Sequence, residues 1–501
     1  MKLWPPAGSV FVLVATLLAS LTACTRPNPE FCCLTEEDCA QQGVSEVRTC
    51  QRDQVCTDHA CRTVQCETAA QCAGTEAPYC VNQLCASACT LDLDCAGAAG
   101  PLCADDGVCV GCESNADCPA SAPVCDPATR ACAPCHNDAD CASGVCLAAD
   151  GRCAEATELI YVSEGGSNET SCTRREPCKT LEYALSKAGP NRNVIRLLGT
   201  MFIIPTEVQI SSQDVYIDAE RTQLIRPGAG RLLTVSGTSQ VTIEGIKIST
   251  RGFSDYPIGI STNSRTTRLT QIEASSDEDF VRVYSGSLEI IDSQLRNSGL
   301  GYGVLCTGSH LEVRGSTLLD IVIAGAGCTG NIHGNIMRNV LLSFNAPYDL
   351  TNNLVEVSRA DCRGNYFGAR RISFNTFVCR STPPVSGEFM GRAITGCLNG
   401  TEVTNNILAW DSVTPITSDC WPMAYNNTVT RDAQVQLNDT NLRAGPSELF
   451  VDPLAQDYQL KGTSPARAAG QADPRVTTDL QGRKRPSPPG TPPDLGAYEA
   501  P

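Results

Sequence analysis

Aromatic side chains are scarce in this chain: 11 Phe, 12 Tyr and 3 Trp make up 5% of 501 residues. So few rings exclude a core built on aromatic packing and leave a narrow interior of Val, Ile and Leu. Long apolar runs are scarcer still. The run from Val10 to Leu18 is too short to span a bilayer, and no other run is long enough to cross one. Lysine is missing between Thr25 and Glu155, where Arg26, Arg48, Arg52, Arg62, Arg130 and Arg152 face an excess of Asp and Glu. With a formal net charge of -17, this excludes nucleic acid and anionic lipid as partners, since both need basic patches. His59 and His136 are the only imidazoles in that stretch, so a zinc site is not expected and no metal or other cofactor is assigned.

Cysteine, by contrast, is abundant, at 31 residues. Lys2, the apolar run and then Leu21-Thr-Ala-Cys24 resemble a bacterial lipoprotein signal, in which the Cys becomes the lipidated first residue. That resemblance implies a signal peptide over 1–23, lipidation at Cys24, a linker over 24–31, and a place outside the cytoplasm on the outer membrane or cell surface. The membrane is then met through the lipid alone. Removing Cys24 leaves 30 thiols, an even number that suits complete pairing in an oxidising compartment.

Over 32–154 the cysteines form units that start at Cys66, Cys89, Cys112 and Cys135, and each start advances the numbering by the same 23 (66 to 89, 89 to 112, 112 to 135). Every unit has four, opening with Cys-x5-Cys, and Asp94, Asp117 and Asp140 precede the second Cys. A degenerate leading unit runs from Cys33 to Cys61, with Cys32 and Cys56 added. Units this small bury too little apolar surface to fold alone, so disulfides must hold them. Four cysteines allow three connectivities, and spacing does not choose among them. One Asp per unit reads as a turn or cap residue rather than a calcium ligand.

Beyond residue 157 a different phrase returns: Leu311-Glu-Val-Arg-Gly315, Asn331-Ile-His-Gly-Asn335, Leu350-Thr-Asn-Asn353, Ile372-Ser-Phe-Asn375, Val403-Thr-Asn-Asn406 and Ala424-Tyr-Asn-Asn427. From one phrase end to the next the steps are 20 (315 to 335), 18, 22, 31 and 21. A short strand repeating at such a period marks a solenoid, each turn burying its apolar face only on its neighbours. Asn and Gly accept the left-handed backbone of a sharp bend, and stacked Asn side chains can bond up a column. The fold class expected is therefore all-β, a right-handed parallel β-helix over 157–447.

Further residues carry a family resemblance. A strand at Leu159–Ser163, a Gly turn, Cys178-Lys-Thr-Leu and a helical pattern through Leu181, Ala184, Leu185 and Ala188 resemble the opening of pectate-lyase-like β-helix domains. The resemblance implies an N-terminal helix covering the open end, with Thr180 as its N-cap and a Cys172–Cys178 staple where the family has an aromatic. At the other end, Asp494-Leu-Gly-Ala-Tyr-Glu499 within 448–501 resembles the closing segment of bacterial β-helix proteins. Three later pairs, Cys306 and Cys328, Cys362 and Cys379, and Cys397 and Cys420, are 22, 17 and 23 apart. They are expected to bridge equivalent points of adjacent coils, whose strands lie about 4.8 Å apart.

No catalytic set is legible. The nearest approach to a calcium-dependent lyase site is Asp277-Glu278-Asp279 with Arg282, a charge run that reads as solvated loop. His310 and His333 are lone imidazoles. Trp410, Trp421, Tyr348 and Tyr366 offer stacking faces to a sugar, with core packing the competing reading. The expectation is a non-catalytic surface protein whose solenoid face contacts polysaccharide or a cell-surface protein. The alternative is a polysaccharide lyase or glycoside hydrolase with a carboxylate site on that face. Oligomeric state is not legible.

Overall fold

A computed structural model of the chain describes residues 31–500, apart from 51–53, 73–77, 82, 97, 99, 228–229, 250–259, 277–278, 298–301, 359–365, 380–392, 398–399, 411–415, 417–419, 421–423 and 430–437. The chain forms two compact units, Met1–Cys153 and Ala154–Pro501. Cys24, Cys362 and Trp421 lie outside the described residues.

In the first unit each repeat closes on a two-stranded antiparallel hairpin. Its third and fourth cysteines stand opposite each other: Cys80 and Cys85, Cys103 and Cys109, Cys125 and Cys132, Cys146 and Cys153. Neither bonds its cross-strand neighbour. The third reaches back to the first cysteine and the fourth to the second, as in Cys112–Cys125 and Cys118–Cys132. All four regular units share this interlaced pattern. The leading unit keeps it through Cys32–Cys56 and Cys50–Cys61, so Cys32 rather than Cys33 is its first cysteine, and Cys33–Cys39 is an addition.

The repeated Asp is a cap. The Asp117 carboxylate accepts from the amides of Glu113 and Ser114 at 3.1 and 2.8 Å and from the Ser114 hydroxyl at 3.0 Å. Asp94 and Asp140 repeat the arrangement. Two residues earlier, Asp92, Asn115 and Asp138 accept from the amide of the unit's third cysteine at 2.8–2.9 Å. Side-chain oxygens thus do the work that a longer helix or sheet would otherwise do.

The second unit is a parallel β-helix. Strands alternate between a 15-stranded and a 12-stranded sheet, both parallel, and successive strands of each sheet come from successive coils. The coiling takes the right-handed sense usual for parallel crossovers. Short-sheet register pairs Thr317, Ile336, Leu354, Thr376, Ile407 and Thr428 in turn, so successive coils advance the numbering by 19 (317 to 336), 18, 22, 31 and 21. Inward side chains such as Ile290, Leu318, Leu350, Phe377 and Val403 merge into one apolar interior.

The bend between the sheets explains the repeated phrase. Gly315, Gly334, Asn352, Phe374, Asn405 and Asn426 all have positive φ, between 51° and 62° apart from Gly334 at 64°. The next residue turns inward: Ser316, Asn335, Asn353, Asn375, Asn406 and Asn427. In this column each backbone amide donates to the side-chain oxygen of the following coil, at 2.9–3.0 Å from Ser316 to Asn441. Gly315 is the left-handed residue and Ser316 the stacked one, so the first step of the repeat is 19 rather than 20.

Near the start, the helix Leu181–Lys187 has Thr180 as its N-cap, accepting from the Tyr183 amide at 3.3 Å. Leu181, Ala184 and Leu185 join the interior beside Cys172 and Cys178, which are bonded to each other. At the other end the closing segment lies along the side of the coils. Leu449, Phe450, Tyr458, Leu460 and Leu495 pack on the outward Leu354, Val378, Ile407 and Ala409. Those short-sheet strands are apolar on both faces, and a strand buried on both sides needs a cover.

Cys306–Cys328 and Cys397–Cys420 are bonded, with Cα separations of 6.1 and 5.2 Å. The first does not join equivalent points: Cys306 pairs in register with Gly325, and Cys328 lies three residues on, past the next bend. The bridge is diagonal and internal, since both sulfurs point into the core. For the second, Ile394 pairs with Ile416 on the neighbouring coil. Cys379 is disulfide-bonded.

Candidate binding face

Two of the expected sugar-stacking rings are core residues. Trp410 is fully buried in the solenoid interior. Tyr348 is buried there too, its ring 4.5 Å from that of Phe344. Both fill space that short side chains leave, which removes them as contact surfaces. Tyr366 lies in the strand Tyr366–Ser373, and its side chain is outside the described set.

The outward rows of the long sheet divide the molecule lengthwise. From Tyr348 onward the outer face is covered, and its charges are tied to the closing segment: Arg371 to Asp349 at 2.8 Å and to Asp473 at 3.4 Å. Among the first coils a second covered group forms. Arg196, Asp218 and Glu244 lie in register on three successive coils, all nearly buried. Arg196 pairs with both Asp218 and Glu220, and Tyr216 donates to Glu244. Sequence reading missed this convergence because its members stand a full coil apart in the chain, and only the winding brings them together.

Between these regions the long sheet is open. Ser211, Ser236, Asn263 and Ser285 stack in one row, and the next carries Gln209 and Thr234, then Arg282 and Leu305. The Ser211 and Ser236 hydroxyls are 2.9 Å apart. The strand Ile260–Thr270 has no apolar alternation and was not legible as a strand. Its inward Thr262, Ser264 and Thr267 satisfy one another at 2.7–2.9 Å, which lets a polar strand enter the core.

Carboxylates on the open face are engaged. Asp279 accepts from Arg282 Nε at 2.7 Å and from the Tyr302 amide at 2.6 Å, while Asp277 and Glu278 lie outside the described residues. Arg268 pairs with Glu289 at 2.8 Å and Arg314 with Glu312 at 3.4 Å. Two tyrosines remain outside: Tyr284 is 42% exposed and Tyr302 46%. His310 is exposed, whereas His333 is half-buried with its Nδ1 2.8 Å from the Thr351 hydroxyl. Among the described residues, cysteine groups alone come close enough together to hold a metal, and their sulfurs are in disulfides.

No protein-family model and no curated protein matches this chain. Among solved structures it is similar to pectate lyase Pel9A. The two are 13% identical with a TM-score of 0.45, over 69% of this chain and 97% of that one. It is also similar to a rhamnogalacturonan lyase, at 11% identity and a TM-score of 0.32, over 56% and 90%. Register alone establishes the β-helix. The arrangement of the open face suits hydrogen bonding and stacking. Its carboxylates Asp279, Glu289 and Glu312 are each paired with an arginine.

Proposed function

We propose that this chain is a lipid-anchored, extracytoplasmic binding protein whose β-helix presents the open long-sheet face to a polysaccharide. The observation that carries the reading is the composition of that face: stacked Ser, Thr and Asn, two exposed tyrosines, and carboxylates engaged by Arg282, Arg268 and Arg314. Hydroxyl and amide groups offer both donors and acceptors, which polyhydroxy ligands need. The anchor is supported by Leu21-Thr-Ala-Cys24, and the oxidising compartment by the disulfide units.

The test of binding is a panel of neutral and uronate polysaccharides titrated against the whole protein, with mobility in glycan-containing gels as the second readout. Cys24→Ala should move the protein from the membrane fraction to the soluble one; unchanged partition would remove the anchor.

The second reading is a polysaccharide lyase or glycoside hydrolase. It is favoured by Asp218, Glu220 and Glu244 gathering around Arg196, since paired carboxylates near a cation are the usual acid–base equipment for such chemistry. Its test is the same panel followed for unsaturated products and new reducing ends. Depolymerisation that survives in the wild type and disappears in Glu244→Gln would replace the binding reading with the enzymatic one.

A further inference from the structure

We infer that the open face contains a subsite for an uncharged glycan, built on two residues that the sheet expels from its register: Tyr284 and Arg265. The inference rests on the polysaccharide-binding reading and names the ligand's charge class.

The strands Ile260–Thr270 and Val281–Ile291 pair in parallel, and their register slips twice. Thr262 pairs with Val283 but Asn263 with Ser285, which leaves Tyr284 as an extra residue. Ser264 then pairs with Gly286 but Thr266 with Ser287, which leaves Arg265 as an extra residue on the other strand. A bulged residue has no partner directly beside it on the neighbouring strand, so its outward side chain stands clear of the cross-strand rows. Both are exposed to solvent. Gly286 makes the second slip possible: its φ is +78°, and a Cβ there would lie 1.6 Å from the Ser264 carbonyl oxygen. Only glycine fits so close a backbone approach.

Between the two bulges stand Asn263 and Ser285, already bonded to each other. Beneath them, the Thr262, Ser264 and Thr267 hydroxyls lock the strand's inner side. Arg282, two residues before Tyr284 on the same outward face, is held by Asp279 at 2.7 Å. An exposed tyrosine face beside an amide, a hydroxyl and a guanidinium matches a pyranose, which has an apolar ring face and polar edges.

Charge complementarity selects the class. Arg282, Arg268 and Arg314 are neutralised by Asp279, Glu289 and Glu312. Arg265 is left as one donor. A polyanion needs a row of uncommitted cations. A neutral chain needs only the hydrogen bonds and the stacking face.

The experiment is calorimetric titration of the whole protein with laminarin, dextran and galactomannan against polygalacturonate and alginate, at low and high salt. Expected is binding of at least one neutral polymer that changes less than about twofold with salt. Tyr284→Ala should weaken it about tenfold or more, and Tyr284→Phe should retain it. Arg265→Gln, which keeps the hydrogen-bonding and removes the charge, should cost less than about threefold. Binding confined to the two uronate polymers, falling with salt and lost in Arg265→Gln, overturns the uncharged class while the binding reading stands. Wild-type affinity in a folded Tyr284→Ala, checked by its unfolding midpoint, overturns the subsite. Silence across all five polymers overturns the binding reading itself.

Discussion

At the scale of single residues, the stacked asparagines hold the coils in register. Asn375 donates to the Leu350 and Ser373 carbonyls at 2.8 and 3.1 Å and to Asn406 Oδ1 at 3.0 Å, and its own oxygen receives the Asn353 amide at 3.0 Å. Asn375→Ala leaves several buried backbone groups without partners, so it should cost about 2–4 kcal/mol in guanidinium unfolding, and a loss below about 0.5 kcal/mol would deny the column its role. His333 gives a pH test. Burial first, then the charges of Arg371, Arg314 and Arg485, holds its pKa below the ordinary imidazole value. The folded state therefore binds fewer protons than the unfolded one in that range. Stability should be fully present above the unfolded pKa of about 6.5 and fall as pH drops through the lower folded value. Urea midpoints of His333→Asn should lack that part of the slope; a slope equal to the wild type's would assign it to other groups. The repeating phrase was readable at this scale, but not which of its last two residues bends and which stacks. Gly315 and Asn335 are different positions of the coil, and only the φ angles and bonds separate them.

At the scale of elements, the disulfide repeat is a hairpin clamped from behind. Its cross-strand cysteines each bond a residue outside the hairpin, so one lost bridge frees an entire strand from the preceding turn. Replacing Cys118 and Cys132 together by serine, which removes a bridge of sequence separation 14, should lower the first unit's stability by about 3 kcal/mol. Hydrogen exchange at Val124–Asp126 and Ala131–Ala133 should rise, while the β-helix amides keep their protection; unchanged exchange in that hairpin would show the remaining bridge to be sufficient. Acid should act on the same unit. The Ser114 amide, then the Glu113 amide and the Ser114 hydroxyl, hold the Asp117 carboxyl below the usual carboxylate range. That contribution is present above the unfolded carboxylate value and is lost as pH falls through the folded one. The period of the repeat was legible because cysteine is a rare letter with a fixed spacing. Connectivity was not, since all three pairings share the same spacing.

At the scale of the whole molecule, the last fifty residues are part of the wall of the solenoid. Asp494 accepts from the Ala468 and Ala500 amides at 2.7 Å, and Asp479 from the Glu499 amide at 2.9 Å. The buried Arg485–Glu499 pair, 3.1 Å apart, ties this knot to Asn352 and to the face of Phe374. Ending the chain at Leu449 should expose Leu354, Val378 and Ile407 together. Such a truncation should bind a hydrophobic dye and associate at concentrations where the full chain stays monodisperse, and a soluble, dye-negative product would make the segment an accessory. Where the open face begins and stops is set by this cover and by the paired charges of the first coils.

The sequence alone determined the repeat, the β-helix, the cysteine units, the helix near its start and the outline of the closing segment, because period and rare residues are local information. Tertiary structure decided which rings are core and which are surface. Trp410 and Tyr348 are buried and Tyr284 is outside, because the winding of the coils fixes which face of each strand meets the interior. It also decided how the charges pair, since residues in successive coils are neighbours in space while a whole turn of chain separates them in sequence.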